Sequence, residues 1–266
     1  VSTYSINAST ASLTAMSTLT LPTGSTQPVD VTVDPTGEFA YVANNNDSTA
    51  GSISVYSIDA GTGDLAFVKT EGIIQKELKS VAVDPSGQFI YLVSSDFDTI
   101  INFNINTGTG TFGNGGADVD TGISPTSIAI DPSGKFAYVI NSTSTAGTIS
   151  TYSINAAGVL LPGAVVNAGD IPWSIAIDPS GQFVYVVNRG ALSNSVSSYS
   201  INSSTGVLTP TGTVNAGTTP SSIAIDPSGQ FAYVSNRSSQ SVSVYNINAS
   251  TGVLTANSTV DLAAGF

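Results

Sequence analysis

The chain has 266 residues, 41% hydrophobic and 9% charged, with neither cysteine nor histidine; it is long enough for a large core, and disulfides, Cys/His zinc sites and Ser-His-Asp or Cys-His catalysis are excluded. Eighteen acidic against six basic residues give a net charge of −12, which repels phosphate backbones and anionic lipid heads, so nucleic acid is not an expected partner. No run reaches the roughly 20 apolar residues of a membrane span. The chain opens at Val1 without an initiator Met or signal peptide, so an upstream segment is expected to have been removed or left out. Sparse lysine with abundant Ser, Thr and Asn points to an extracellular or cell-surface location.

In chain order, residues 1–22 are predicted to supply the third and fourth strands of a blade, marked by Tyr4. Five repeats follow, at approximately 23–70, 71–120, 121–167, 168–215 and 216–262. Asp-Pro-Ser/Thr-Gly recurs at Asp34, Asp84, Asp131, Asp178 and Asp226, spaced by 50, 47, 47 and 48 residues, and a tyrosine follows seven residues later each time, from Tyr41 to Tyr233. An aromatic marks each third strand, at Tyr56, Phe103, Tyr152, Tyr199 and Tyr245. A period near 47 with four short strands per unit predicts an all-β fold, a β-propeller of four-stranded antiparallel blades in one domain over 1–266. Helical periodicity is almost absent.

Ser222–Ile225 reads as an inner strand, Phe231–Val234 and Ser241–Ile247 as the second and third, and Val253–Val260 as the outer one. In Asp226-Pro227-Ser228-Gly229 the Asp bonds back to the backbone, Pro sets φ and Gly takes the left-handed conformation. The expected total of 22 strands closes no ring of whole blades. The chain is therefore read as part of a six- or seven-bladed ring, or as one completed by another chain; the alternative is a five-bladed ring with a spare hairpin. Unpaired blade edges are candidate surfaces for self-assembly by strand addition.

Departures from the repeat carry the functional signal. The second repeat gathers Lys69, Lys76 and Lys79, lacks the proline found at Pro28, Pro125, Pro172 and Pro220, and ends its second strand in Ser94-Ser95-Asp96-Phe97-Asp98. The fourth carries Trp173, the only tryptophan. In a four-stranded blade the outer-to-inner connection and the loop between the second and third strands share one face. Asp30, Lys79, Asp96, Asp98, Trp173, Arg189 and Arg237 are therefore expected around one mouth of a central channel. Trp173, Lys79, Asp96 and Asp98 are candidate ligand-binding residues, with Trp173 placed either to stack on a sugar or to pack between blades.

Several motifs read better as structure. The five repeat aspartates are turn residues rather than a catalytic set. Gly108-Thr109-Gly110-Thr111-Phe112-Gly113 spells a dinucleotide fingerprint but falls in a strand-to-strand turn with no helix after it. Asp96 with Asp98, or Asp118 with Asp120, is too sparse for a calcium site, so no metal is assigned.

Tyr41-Val42-Ala43-Asn44, Tyr138-Val139-Ile140-Asn141, Tyr185-Val186-Val187-Asn188 and Tyr233-Val234-Ser235-Asn236, each after Asp-Pro-Ser/Thr-Gly, resemble the repeats of the lactonase-type seven-bladed propellers. That superfamily includes 6-phosphogluconolactonases, muconate-lactonizing relatives and YVTN-repeat surface proteins. The resemblance implies lactone chemistry at the channel mouth without metal or cofactor, using side chains such as His, Glu and Arg. With no histidine, Arg189 and Arg237 would hold an anion or oxyanion, and Asp30 or Asp96 would be the base. The leading expectation is nonetheless a secreted or surface binding and structural module, its channel face meeting protein or carbohydrate. A lactone hydrolase is the alternative, and a subunit of an extracellular assembly joined by strand addition the third reading.

Overall fold

Alternation of branched apolar with small polar residues, punctuated by Asp-Pro-Ser/Thr-Gly and Asn/Asp-x-x-x-Gly turns, leaves the chain no option but short antiparallel strands. The structure, a computed structural model, describes residues 1–7, 12–22, 25–46, 50–74, 77–143, 146–190 and 194–262; Lys76 lies outside them. Among the described residues there are 23 strands, and no helix is long and apolar enough to cross a membrane.

The first strands, β1 (Ser2–Ile6) and β2 (Leu13–Thr18), form a two-stranded sheet. The first blade is β3 (Pro28–Val33), β4 (Phe39–Asn46), β5 (Ala50–Ile58) and β6 (Leu65–Ile74). The second is β7 (Leu78–Val83), β8 (Phe89–Ser94), β9 (Thr99–Ile105) and an outer strand broken into β10 (Phe112–Gly115) and β11 (Val119–Asp120). The third is β12 (Pro125–Ile130), β13 (Phe136–Ser142), β14 (Gly147–Ile154) and β15 (Leu160–Asn167). The fourth is β16 (Pro172–Ile177), β17 (Phe183–Asn188), β18 (Ser195–Ile201) and β19 (Leu208–Asn215). The fifth is β20 (Pro220–Ile225), β21 (Phe231–Asn236), β22 (Ser241–Ile247) and β23 (Leu254–Asp261).

These are the four-stranded antiparallel blades of a β-propeller. The break between β10 and β11 accounts for one strand more than the 22 expected. It follows the glycine run: Gly116 donates its amide to Asn102 O at 3.1 Å, and a Cβ on Gly115 would lie 2.8 Å from the same oxygen. Only a chain without side chains there can leave and rejoin the β9 ladder.

The chain divides into two compact units, Val1–Phe97 with Ile101–Asp118, and Asp98–Ile100 with Val119–Phe266. The core of the first gathers Tyr41, Ile53, Val55, Leu78, Ile90, Leu92 and Ile101, with Phe112 stacked on Tyr41. In this unit the β1–β2 hairpin packs Val1 and Leu19 against Ala40, Val42 and Tyr56. The second unit has two core layers, one around Tyr138, Ile149, Val184 and Tyr199, the other around Tyr185, Val196, Val234 and Tyr245.

Three repeated devices join blades within the second unit. Third-strand tyrosines donate to the end of the preceding blade: Tyr152 Oη to Asp120 O at 2.9 Å, Tyr199 Oη to Asn167 O at 3.1 Å and Tyr245 Oη to Asn215 O at 2.8 Å. Gly206 and Gly252 lie so tightly against the rings of Phe136 and Phe183 that a Cβ would collide. Asp-Pro-Ser-Gly turns stack, Gly181 on Pro132 and Gly229 on Pro179. Tyr233, at the repeat position where Tyr41, Tyr91, Tyr138 and Tyr185 are fully buried, is 40% exposed.

Candidate functional site

Each inner strand begins with the same irregularity. The register slips between Pro28 and Asp30, Leu78 and Ser80, Pro125 and Ser127, Pro172 and Ser174, and Pro220 and Ser222. The skipped residue is a bulge, which takes its side chain out of the ladder and re-aims it. These bulged positions hold Val29, Lys79, Thr126, Trp173 and Ser221. Thr126 Oγ1 donates to Pro172 O at 3.3 Å, and Ser221 Oγ pairs with Ser235 Oγ at 2.9 Å. Lys79 and Trp173, the residues singled out from the sequence, are the large exceptions at this place.

Opposite the bulge, at or near the end of the second strand in four of the blades, stands an asparagine whose role the repeat alone does not reveal. Asn44, Asn141, Asn188 and Asn236 are buried. Each donates its amide to the third strand: Asn44 to Ser54 at 3.1 Å, Asn141 to Ser150 at 3.0 Å, and Asn188 and Asn236 to Ser197 and Ser243 at 2.9 Å. A glycine crosses over this amide in the second unit; Gly122 N donates to Asn141 Oδ1 at 3.1 Å, and a Cβ on Gly217 would lie 2.6 Å from Asn236 Cγ. The signal was present: Ser or Thr recurs twice on the third strand wherever the asparagine stands, and the second repeat, with Ser94 in its place, has Thr99 and Ile101 there.

This lock fixes the residue after it. Arg189 and Arg237 follow Asn188 and Asn236 directly, and their amides donate to Ile171 O at 3.1 Å and Thr219 O at 2.9 Å. Ile171 and Thr219 have φ of 50° and 55°, a left-handed conformation that costs β-branched residues of order 1–3 kcal/mol. At the equivalent places of the first and third blades stand the unbranched Gln27 and Ser124, also at positive φ. Branched residues in strained backbone thus occur in the two blades that carry arginine.

The structure brings Trp173 and Arg189 into contact in the second unit and places Arg237 at the equivalent position of the adjoining fifth blade. The Arg189 guanidinium carbon lies 3.1 Å from the centre of the Trp173 ring, an attraction between cation and ring face. Burial, then the positive charge of Arg237, lowers the Arg189 pKa from its ordinary value. Among the described residues neither arginine forms a salt bridge, whereas Lys69 pairs with Glu71 and Lys79 with Glu77. One face of the indole is therefore occupied by Arg189.

The remaining candidates have other surroundings. Asp30 accepts from Ser80 Oγ at 2.8 Å, Val81 N at 2.9 Å and its own neighbour Val31 N at 2.9 Å, so its carboxylate ties the first blade to the second. Asp98, with φ 51°, accepts from Ser124 N at 2.7 Å. Lys79 and Asp96 meet through Glu77 in the first unit: the Asp96 carboxyl is raised by its hydrogen bond to Glu77, by burial and by the Glu77 charge, while Lys79 holds Glu77 low. Asp34, Asp84, Asp131, Asp178 and Asp226 each accept the amide five residues on, at 2.7–2.8 Å. Among the described residues no group of three or more Asp or Glu could hold a metal ion.

A family model described as lactonase, seven-bladed β-propeller, matches residues 1–123 and 172–264. The chain belongs to this lactonase family. The described residues form five of its blades and a hairpin. A 6-phosphogluconolactonase of Formosa agariphila is 31% identical over 81 residues, 30% of this chain and 23% of that protein, so the match spans less than a quarter of the relative's length. The structure of the periplasmic gluconolactonase of Pseudomonas aeruginosa superposes with a TM-score of 0.80 at 20% identity, covering 98% of this chain and 77% of that one. A protein of unknown function from Desulfotomaculum acetoxidans gives 0.74 at 20% identity, over 92% and 72% of the two chains.

These matches correct the leading expectation of a non-catalytic binding and structural module. The family is one of lactonases and the Formosa agariphila relative carries a lactonase name, and the alternative reading fits them better. The error has a physical source: the repeated residues are strands, turns and locks, and they are silent about chemistry that depends on single exceptions.

Proposed function

We propose that this lactonase-family protein hydrolyses a sugar lactone of the gluconolactone or 6-phosphogluconolactone type, with Arg189 and Arg237 as its anion-binding groups. The observation that carries the reading is the Arg189 guanidinium over Trp173, with Arg237 at the equivalent place of the next blade; these are the only arginines of an acidic chain, and neither has a salt-bridge partner among the described residues. Cations on adjoining blade edges favour a negative group there.

Water adds to the lactone carbonyl as it gives up a proton to solvent, the carbonyl oxygen becomes an oxyanion, and collapse of that intermediate breaks the ring C–O bond, the ring oxygen taking a proton from solvent to leave a hydroxy acid. Preorganised guanidinium donors stabilise either that oxyanion or a substrate phosphate, in a site whose backbone is already fixed by the buried Asn188 and Asn236. The relatives named 6-phosphogluconolactonase and gluconolactonase support this substrate class.

Titration at constant pH with gluconolactone and its 6-phosphate tests the proposal. Turnover above the spontaneous rate is expected, falling about 10²–10³-fold in the Arg189→Ala/Arg237→Ala double variant. Absence of excess turnover in well-folded protein overturns it.

A further inference from the structure

The indole of Trp173 is reached by a chain of local causes that ends at Arg189. Pro172 pairs with Asn188, the register then slips, and the bulge turns Trp173 out of the β16 ladder. The residue it meets follows Asn188 directly and is tethered by its amide to Ile171, two positions before the tryptophan. Backbone and side chain of Arg189 are thus held by the same short segment, 171–173. In the fifth blade the bulge carries Ser221, bonded to Ser235, and Arg237 is exposed. Of the two arginines, Arg189 is the half-buried one with a ring beneath it.

A guanidinium beside another cation is pushed away from it by repulsion and gains by swinging into solvent. A planar ring under it opposes that motion, because the attraction to the ring face falls away once the cation slides off. We infer that Trp173 is a positioning residue: its indole holds the Arg189 guanidinium at the edge of the fourth blade, toward the adjoining blade that carries Arg237, so that the two arginines meet a phosphate or other oxyanion together. The inference rests on the lactonase reading for its catalytic consequence, whereas anion binding itself is independent of turnover.

Trp173 is the chain's only tryptophan, so its fluorescence reads one site. The first experiment is titration of the intact protein with inorganic phosphate, followed by Trp173 emission, and comparison with Arg189→Ala. The emission is expected to differ between the two proteins before any phosphate is added, and to respond to phosphate only when Arg189 is present. Phosphate binding by Trp173→Phe and Trp173→Ala is then measured by calorimetry. Phenylalanine retains a ring face and is expected to bind within about twofold of the parent; alanine is expected to bind about three- to tenfold more weakly. On a phosphorylated lactone the alanine variant shows the same increase in KM with kcat little changed.

Equal phosphate affinity in Trp173→Ala and the parent overturns the positioning role, as does emission indifferent to Arg189→Ala in a folded protein. Failure of the parent to bind phosphate at millimolar concentration also overturns it, even if lactone turnover is found. Conversely, phosphate binding that weakens in Trp173→Ala without any lactone turnover sinks the lactonase reading and leaves the positioning role standing.

Discussion

The hydroxyl of Tyr245, on the third strand of the fifth blade, donates to the carbonyl of Asn215, where the fourth blade ends, at 2.8 Å. Tyr185 is equally buried, yet its hydroxyl has no hydrogen-bond partner among the described residues. The two tyrosines therefore respond oppositely to loss of the hydroxyl. Tyr245→Phe removes a bond and strands a carbonyl, at a cost of about 1–2 kcal/mol, while Tyr185→Phe relieves a desolvated group and is neutral or stabilising. Urea denaturation of the two variants checks the contrast; equal losses contradict it.

Glycines at one turn are not equivalent to glycines at the other. Gly229 has φ 69°, and a Cβ there would make an ordinary contact with Pro179 at 3.7 Å. Gly229→Ala is expected to cost about 1–2 kcal/mol, from backbone strain alone. Gly252, with φ 68°, would drive its Cβ into the Phe183 ring. Gly252→Ala should be the more destabilising by at least about 1 kcal/mol through overpacking. A melting comparison that ranks them the other way removes the glycine-on-ring contact as an inter-blade device.

Asp226 links the turn to acid stability. Partial burial pushes its carboxyl up, but bonds from the Ser228 hydroxyl and the amides of Phe231, Ser228 and Gln230 outweigh that and leave it below the ordinary value. A carboxyl lowered in the folded state contributes stability that is present above the unfolded pKa, about 3.9, and is lost as pH falls through the folded one. Asp226→Asn should destabilise at neutral pH and flatten the fall in melting temperature below about pH 4. An unchanged acid slope contradicts this assignment.

Glu77 and Asp96 should titrate apart. The hydrogen bond to Glu77, burial and the Glu77 charge raise Asp96, whereas Lys79 and the bond from Asp96 lower Glu77 despite burial. Their linkage signs are opposite: the Asp96 contribution is present at low pH and fades as pH rises through its raised pKa, and the Glu77 contribution fades as pH falls. Carboxyl carbon NMR is expected to show two separated titrations, and Glu77→Gln to return Asp96 toward its ordinary value. Coincident titrations in the parent contradict the pairing.

The blades were legible because their causes are local. Asp-Pro-Ser/Thr-Gly closes on itself through bonds spanning five residues, and alternation within a strand depends only on neighbours; the inner strand expected from Ser222 begins at Pro220 and the outer strand expected from Val253 at Leu254. The lone Trp173, Lys79, Arg189 and Arg237 were equally visible as exceptions to the repeat. Their partners were not. The broken outer strand of the second blade was also missed, because its cause is Gly115 and Gly116 meeting Asn102 across the ladder.

Sequence by itself determined that this chain makes propeller blades, where each blade turns, and which residues depart from the repeat. Tertiary structure alone decided that Asp30 holds Ser80 and Val81, that Asn188 and Asn236 are buried locks, and that a bulge carries Trp173 under Arg189. The difference is one of distance along the chain. A turn or an alternation is settled by residues a few positions apart, whereas Arg189 and Arg237 come to adjoining blade edges only after two blades have folded and packed, and no local pattern encodes that packing.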